Sequence, residues 1–94
     1  MDRLFERIRR AVREERIVFT VHADNRLHER NVERWHLIES FETGHVIQSH
    51  RSARPDPKLV VEQMLPSGET VIAVWGYVKS IRKAKLITVY FERK

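Results

Sequence analysis

The hydrophobic period of this chain changes once, at Gly44, and that change restricts its possible folds more than any other feature. Before Gly44 apolar residues recur at helical spacing, and after it they alternate. Helices followed by strands read as an α+β chain, its N-terminal helices packed on one face of an antiparallel sheet.

Asp2 to Glu15 reads as a first helix, with Leu4, Ile8, Ala11 and Val12 on its apolar face and Phe5 beside them. Arg3, Arg7 and Arg10 flank that face on one side; Arg9, Arg13 and Arg16 flank it on the other. Glu6 precedes Arg10 by four residues, the favourable order for a helix pair. The arginines are therefore expected to be solvated partners of carboxylates rather than a nucleic-acid face.

Ile17, Val18 and Phe19 form a short β-type segment. Thr20 can cap the helix that follows, its hydroxyl accepting from a backbone N–H of the first turn. Asn31 stands where such a helix stops in a left-handed residue. Between these stops Ala23 and Leu27 give a core stripe. His22, Arg26 and Arg30, at four-residue spacing, give a polar stripe beside it. A third helix, Glu33 to Thr43, turns Leu37, Ile38 and Phe41 inward and terminates at Gly44. Trp35 is expected in the core, and His36 has no evident partner.

His45 to Ser49 is a candidate strand, followed by a loop, His50 to Pro57, whose prolines keep it out of a central strand. Lys58 to Leu65, Glu69 to Val78 and Lys85 to Glu92 are further strands, joined by the turn Pro66-Ser67-Gly68 and a basic connection, Lys79 to Ala84. Short turns make neighbours antiparallel, so the sheet is expected to be twisted and four-stranded. In the last strand Ile87, Val89 and Phe91 are expected to meet the helices, leaving Leu86, Thr88 and Tyr90 on an open side. Trp75 and Tyr77 share a face expected to be partly exposed.

At 94 residues the chain reads as one domain, near the lower limit for an ordinary core. It has no cysteine, which removes disulfides and thiolate metal ligation. Asp2, Arg3, Glu6 and Arg7 at the N-terminus leave no apolar run for a signal peptide or membrane span. A soluble cytoplasmic protein with no membrane contact is expected. The formal net charge of +5 attracts polyanions, nucleic acid foremost, although an acidic protein partner satisfies the same charge. No pair among the five histidines has the four-residue helical spacing of zinc ligands, and no carboxylate completes a set. Neither a metal nor another cofactor is expected.

Thr20-Val21-His22-Ala23, then Arg26, then Glu29-Arg30-Asn31-Val32 resemble the opening motif of the DUF4258 family, affiliated with the RelE/ParE toxin-like superfamily. Gly44-His45-Val46-Ile47 and Thr88-Val89-Tyr90 are similar to its later segments, so the resemblance runs from about Val18 to Phe91. It implies a single RelE-like domain over residues 1–94 with a small RNase-like fold. It also implies a toxin-like, metal-free endoribonuclease of the mRNA-interferase kind. RNA, free or as ribosome-bound mRNA, would be the substrate, and a cognate antitoxin protein the partner. Members often carry a histidine in the strand matching Glu69 to Val78; Val71-Ile72-Ala73-Val74 has none. The alternative is a non-catalytic basic domain that binds RNA, an acidic antitoxin or another protein.

Metal-free RNA cleavage needs a group to take the 2′-hydroxyl proton, a donor for the leaving oxygen, and cations around the phosphorus. His22 is the acid/base candidate, and Arg26 and Arg30 are suited to phosphate oxygens. Tyr90 can donate to an oxyanion or stack a base, and Thr88 can position a phosphate. In a purely structural reading His22 bonds a backbone carbonyl at the strand–helix junction, Arg30 pairs with Glu33 and Arg26 with Glu29. If the helices cover the Ile87, Val89 and Phe91 face, Thr88 and Tyr90 lie across the sheet from His22. The helix start must then reach around a sheet edge.

Overall fold

The computed structural model describes residues 3–91. Three helices come first: α1 (Arg3–Arg13), α2 (Val21–Glu29) and α3 (Arg34–Ser40), the last running into a 3-10 turn, Phe41–Thr43. A short strand β1 (Ile17–Phe19) separates α1 from α2. Four longer ones follow: β2 (His45–His50), β3 (Lys58–Met64), β4 (Thr70–Val78) and β5 (Lys83–Phe91). Asp2 and Glu92, assigned by sequence to the first helix and last strand, lie outside the described residues.

The sheet has five strands, in the order β1-β5-β4-β3-β2. It is mixed: β1 runs parallel to β5, pairing Ile17 with Ala84 and Phe19 with Leu86, and the other neighbours are antiparallel. The expectation of four antiparallel strands is corrected on both counts. Hairpin logic holds for strands joined by tight turns, whereas β1 and β5 are separated by most of the chain. Ile17, Val18 and Phe19 are β-type as expected, but a three-residue segment carries no signal of which strand it pairs with.

The helices cover one face. Leu4, Ile8, Ala11 and Val12 of α1 are buried with Leu59 and Val61 of β3, Val71, Ala73 and Trp75 of β4, and Ala84, Leu86 and Val89 of β5. Trp75 and Tyr77 therefore lie beneath α1, not on an open face: Trp75 is fully buried and Tyr77 is 8% exposed. The Phe41 ring meets Trp75 edge-on at 5.4 Å and stacks with Phe5 at 5.5 Å. Trp35 reverses expectation in the other direction, being 50% exposed with its ring 4.1 Å from that of His36. It sits two residues from Leu37, about 200° around the helix from the inward stripe. His36 does have a partner: its Nδ1 accepts from the Glu33 N–H at 2.9 Å, at the start of α3.

One polar group is built into the core. Gln63 is fully buried, its Nε2 donating to the Leu37 carbonyl at 2.9 Å and the Ser40 hydroxyl at 2.8 Å. Its Oε1 accepts from Trp75 Nε1 at 2.7 Å. The network joins α3 to β3 and β4 and leaves the indole N–H satisfied, as a buried donor must be. Gly44, where the periodicity changes, is required for space rather than for a left-handed backbone. Its φ is −74°, and an added Cβ would lie 2.7 Å from Val61 Cγ1.

In β5 the expected alternation is broken. Val74 pairs with Thr88 but Trp75 pairs with Leu86, leaving Ile87 as an extra residue. Such a bulge puts two successive residues opposite one partner and shifts the later residues to the other face. Ala84 and Leu86 face the helices before the bulge, and Val89 and Phe91 after it. Ile87, with its Cδ1 against the Gly76 position, stays on the far side with Thr88 and Tyr90. Among the described residues no helix is long and apolar enough to cross a membrane.

Candidate functional site

β1 ends at Phe19, opposite Leu86, so among the described residues the second half of β5 has no strand on its outer side. An unpaired edge needs another covering, and α2 supplies it. Thr20 makes the junction. Its N–H donates to the Leu86 carbonyl at 3.2 Å, continuing the β1 ladder by one bond. Its hydroxyl donates to the Ile87 carbonyl at 2.8 Å and accepts from the Ala23 N–H at 3.0 Å, capping α2 as expected. At the far end Asn31 has φ of 54°, the left-handed stop read from the sequence.

With Ala23 and Leu27 buried, the neighbouring stripe of α2 follows the β5 edge. Arg26 Nε donates to the Val89 carbonyl at 3.3 Å, and the Arg30 guanidinium lies over the Phe91 ring at 4.7 Å. The edge is thus closed by side chains. α2 runs along the sheet margin, and Arg26 is the member of its stripe that comes near the far side. Tyr90, on the far side and 50% exposed, has its ring centre 6.0 Å from the Arg26 guanidinium carbon.

His22 stands one turn before Arg26 on the same stripe. It is exposed and makes no hydrogen bond or ion pair among the described residues. The junction-locking role belongs to Thr20. Arg30 pairs with Glu69 at 3.8 Å rather than with Glu33, while Arg26 does lie 4.0 Å from Glu29. Both pairs are long and exposed, so they hold the guanidinium groups weakly. Thr88 differs from the rest: it is 7% exposed, and its hydroxyl has no partner among the described residues. His22, Arg26, Arg30 and Tyr90 line the edge from the solvent side, and Thr88 is buried beside it.

Other residues that shape the site carry no local signal. Asp24 accepts from Arg34 Nε at 3.0 Å and Nη2 at 2.5 Å, pinning α2 to the start of α3. Arg34 also covers the Phe19 ring at 4.4 Å. Glu69, which immediately precedes β4, and Phe91, in β5, are the partners of Arg30. Charge alternation alone could suggest the Asp24–Arg34 pair; nothing in the spacing points to the other two.

These observations define a small α+β domain in which α2 covers an open sheet edge and presents there an imidazole that is unpartnered among the described residues. The chain belongs to the DUF4258 family, described as a domain of unknown function, whose family model matches residues 19–91. The match opens at the last residue of β1, so α1 precedes it. No curated protein and no solved structure matches the chain.

Proposed function

We propose that this chain is a metal-free endoribonuclease of the toxin-like kind, with the RelE/ParE type of fold, acting on RNA at the α2–β5 edge. The observation that carries the reading is the exposed His22, unpartnered among the described residues, at the head of a stripe with Arg26 and Arg30. In the step proposed, the substrate 2′-oxygen attacks the adjacent phosphorus while His22 takes its proton. The bond from phosphorus to the 5′-oxygen breaks, and that oxygen takes a proton from the Tyr90 phenol, which water replenishes. The products are a 2′,3′-cyclic phosphate and a 5′-hydroxyl. Arg26 and Arg30 neutralise the non-bridging oxygens as charge builds. Thr88 would contribute to phosphate positioning only after the strand exposes its hydroxyl.

The test is cleavage of a single-stranded RNA by purified protein in EDTA. His22→Ala is expected to lower the rate by about 100-fold or more, the usual contribution of a positioned acid/base group. Full cleavage by that variant sinks the reading. A second reading is favoured by one observation: β4 carries no histidine to join His22 in acid/base work. On that reading the domain binds RNA, an acidic antitoxin or another protein without cutting, and the assay returns salt-sensitive RNA binding with no product.

A further inference from the structure

The arginines of α1 are sorted by their partners. Arg9 reaches Glu6 at 3.2 Å and Glu42 at 3.4 Å, and Arg13 grips Glu42 with bonds of 2.6 and 3.1 Å. On the other side Arg3, Arg7 and Arg10 make no ion pair among the described residues. That side faces a groove of about 800 Å³ between α1 and the turn joining β4 to β5. The turn adds Arg82, also without an ion pair among the described residues. Arg16 closes one end, bonded to Glu14 at 2.9 Å and donating to the Arg82 carbonyl. Tyr77 forms a nearly buried floor, with the Arg7 guanidinium 6.0 Å from its ring centre. The two carboxylates on the rim, Glu6 and Glu14, are each engaged by an arginine. What remains is a row of unneutralised guanidinium groups.

We infer that this groove binds the phosphate backbone of single-stranded RNA. Arg3, Arg7 and Arg10 are spaced about 6 and 4.5 Å apart along the helix axis. A row of cations at such intervals matches a repeating anion better than one isolated phosphate. Ile81 is the only exposed apolar side chain among the lining residues, whereas docked peptides are anchored chiefly by buried apolar groups. Among the lining residues no aromatic side chain is exposed to offer a stacking platform, so the groove follows the backbone without reading bases. β5 joins it to the α2 edge: Arg82 precedes the strand and Tyr90 lies near its end, about 26 Å on. The inference rests on the RNA-acting reading of that edge, and it assigns substrate holding to α1, which lies outside the family match.

The test is fluorescence anisotropy of a labelled 2′-O-methyl oligouridine, which cannot be cut through its 2′-oxygen. Binding is then read whether or not the α2 edge is catalytic, and the cleavage assay of His22→Ala stands separately. Arg7→Gln with Arg10→Gln is expected to weaken binding about tenfold. It should also reduce the salt slope by about 1.4, at about 0.7 for each phosphate of a single strand that is no longer neutralised. Arg9→Gln with Arg13→Gln removes the same charge from the same helix and is expected to change affinity by less than about twofold. If thermal melting shows the first pair to be misfolded, Arg82→Gln on the turn is read instead, with a loss of about threefold expected. Equal weakening by both pairs would mean bulk charge alone and overturn the groove. So would no effect of the groove variants, or polyglutamate displacing the RNA at equal charge concentration, which would assign the groove to an acidic protein.

Discussion

At the scale of single residues, Thr88 is the side chain out of balance. A buried hydroxyl without a partner forfeits its bonds to water and gains none in return. Thr88→Val keeps the shape and removes the orphan group, so it is expected to raise stability by about 1 kcal/mol in urea unfolding. Unchanged cleavage by the same variant would remove Thr88 from the phosphate-positioning role. Residues whose roles are local were legible in the sequence. Thr20 as cap and Asn31 as stop depend on neighbours within one turn, and both stand as read. Trp35 and Trp75 exchanged their expected places because residue type alone does not say which side of an element meets the core. Gln63 shows the same limit in reverse. A glutamine in an alternating strand reads as an outward polar residue, yet its two-sided amide links the Trp75 indole to α3.

At the scale of elements, α1 owes its position partly to Glu42. The Arg13 hydrogen bond holds the Glu42 carboxyl below the usual glutamate range against the opposing effect of burial, with smaller help from the charges of Arg13 and Arg9. A carboxyl lowered on folding stabilises the protein above its unfolded pKa and loses that contribution as the pH falls through the folded value. The wild-type melting temperature should therefore fall more steeply on acidification below the ordinary glutamate range than that of Glu42→Gln. The effect is small, because the pair is largely exposed and solvent screens it. Helix and strand order was legible in the change of period at Gly44, and most boundaries differ from expectation by one or two residues. The β1 segment stands as read, but its parallel pairing with β5 and the Ile87 bulge were not legible, since pairing partners and register are long-range properties. The bulge matters most for the site, as it separates Leu86 from Thr88 and Tyr90.

At the scale of the whole molecule, a net charge of +5 was plain from composition, but its distribution was not. Which arginines remain unneutralised depends on Glu42 and Glu69 arriving from distant segments. The His22, Arg26 and Arg30 stripe was legible because helix geometry makes it. Its seat on the β5 edge depends on β1 stopping after three residues. The two margins of the sheet consequently differ: α2 seals β5, while among the described residues no strand pairs with the outer side of β2. In native-state hydrogen exchange, amide protection is expected to be greatest in β4 and to decline through β3 to the outward amides of β2. Equal protection of β2 and β4 would contradict that order. Partial openings would begin at β2, on the margin opposite α2, and could occur while His22, Arg26 and Tyr90 remain assembled along β5.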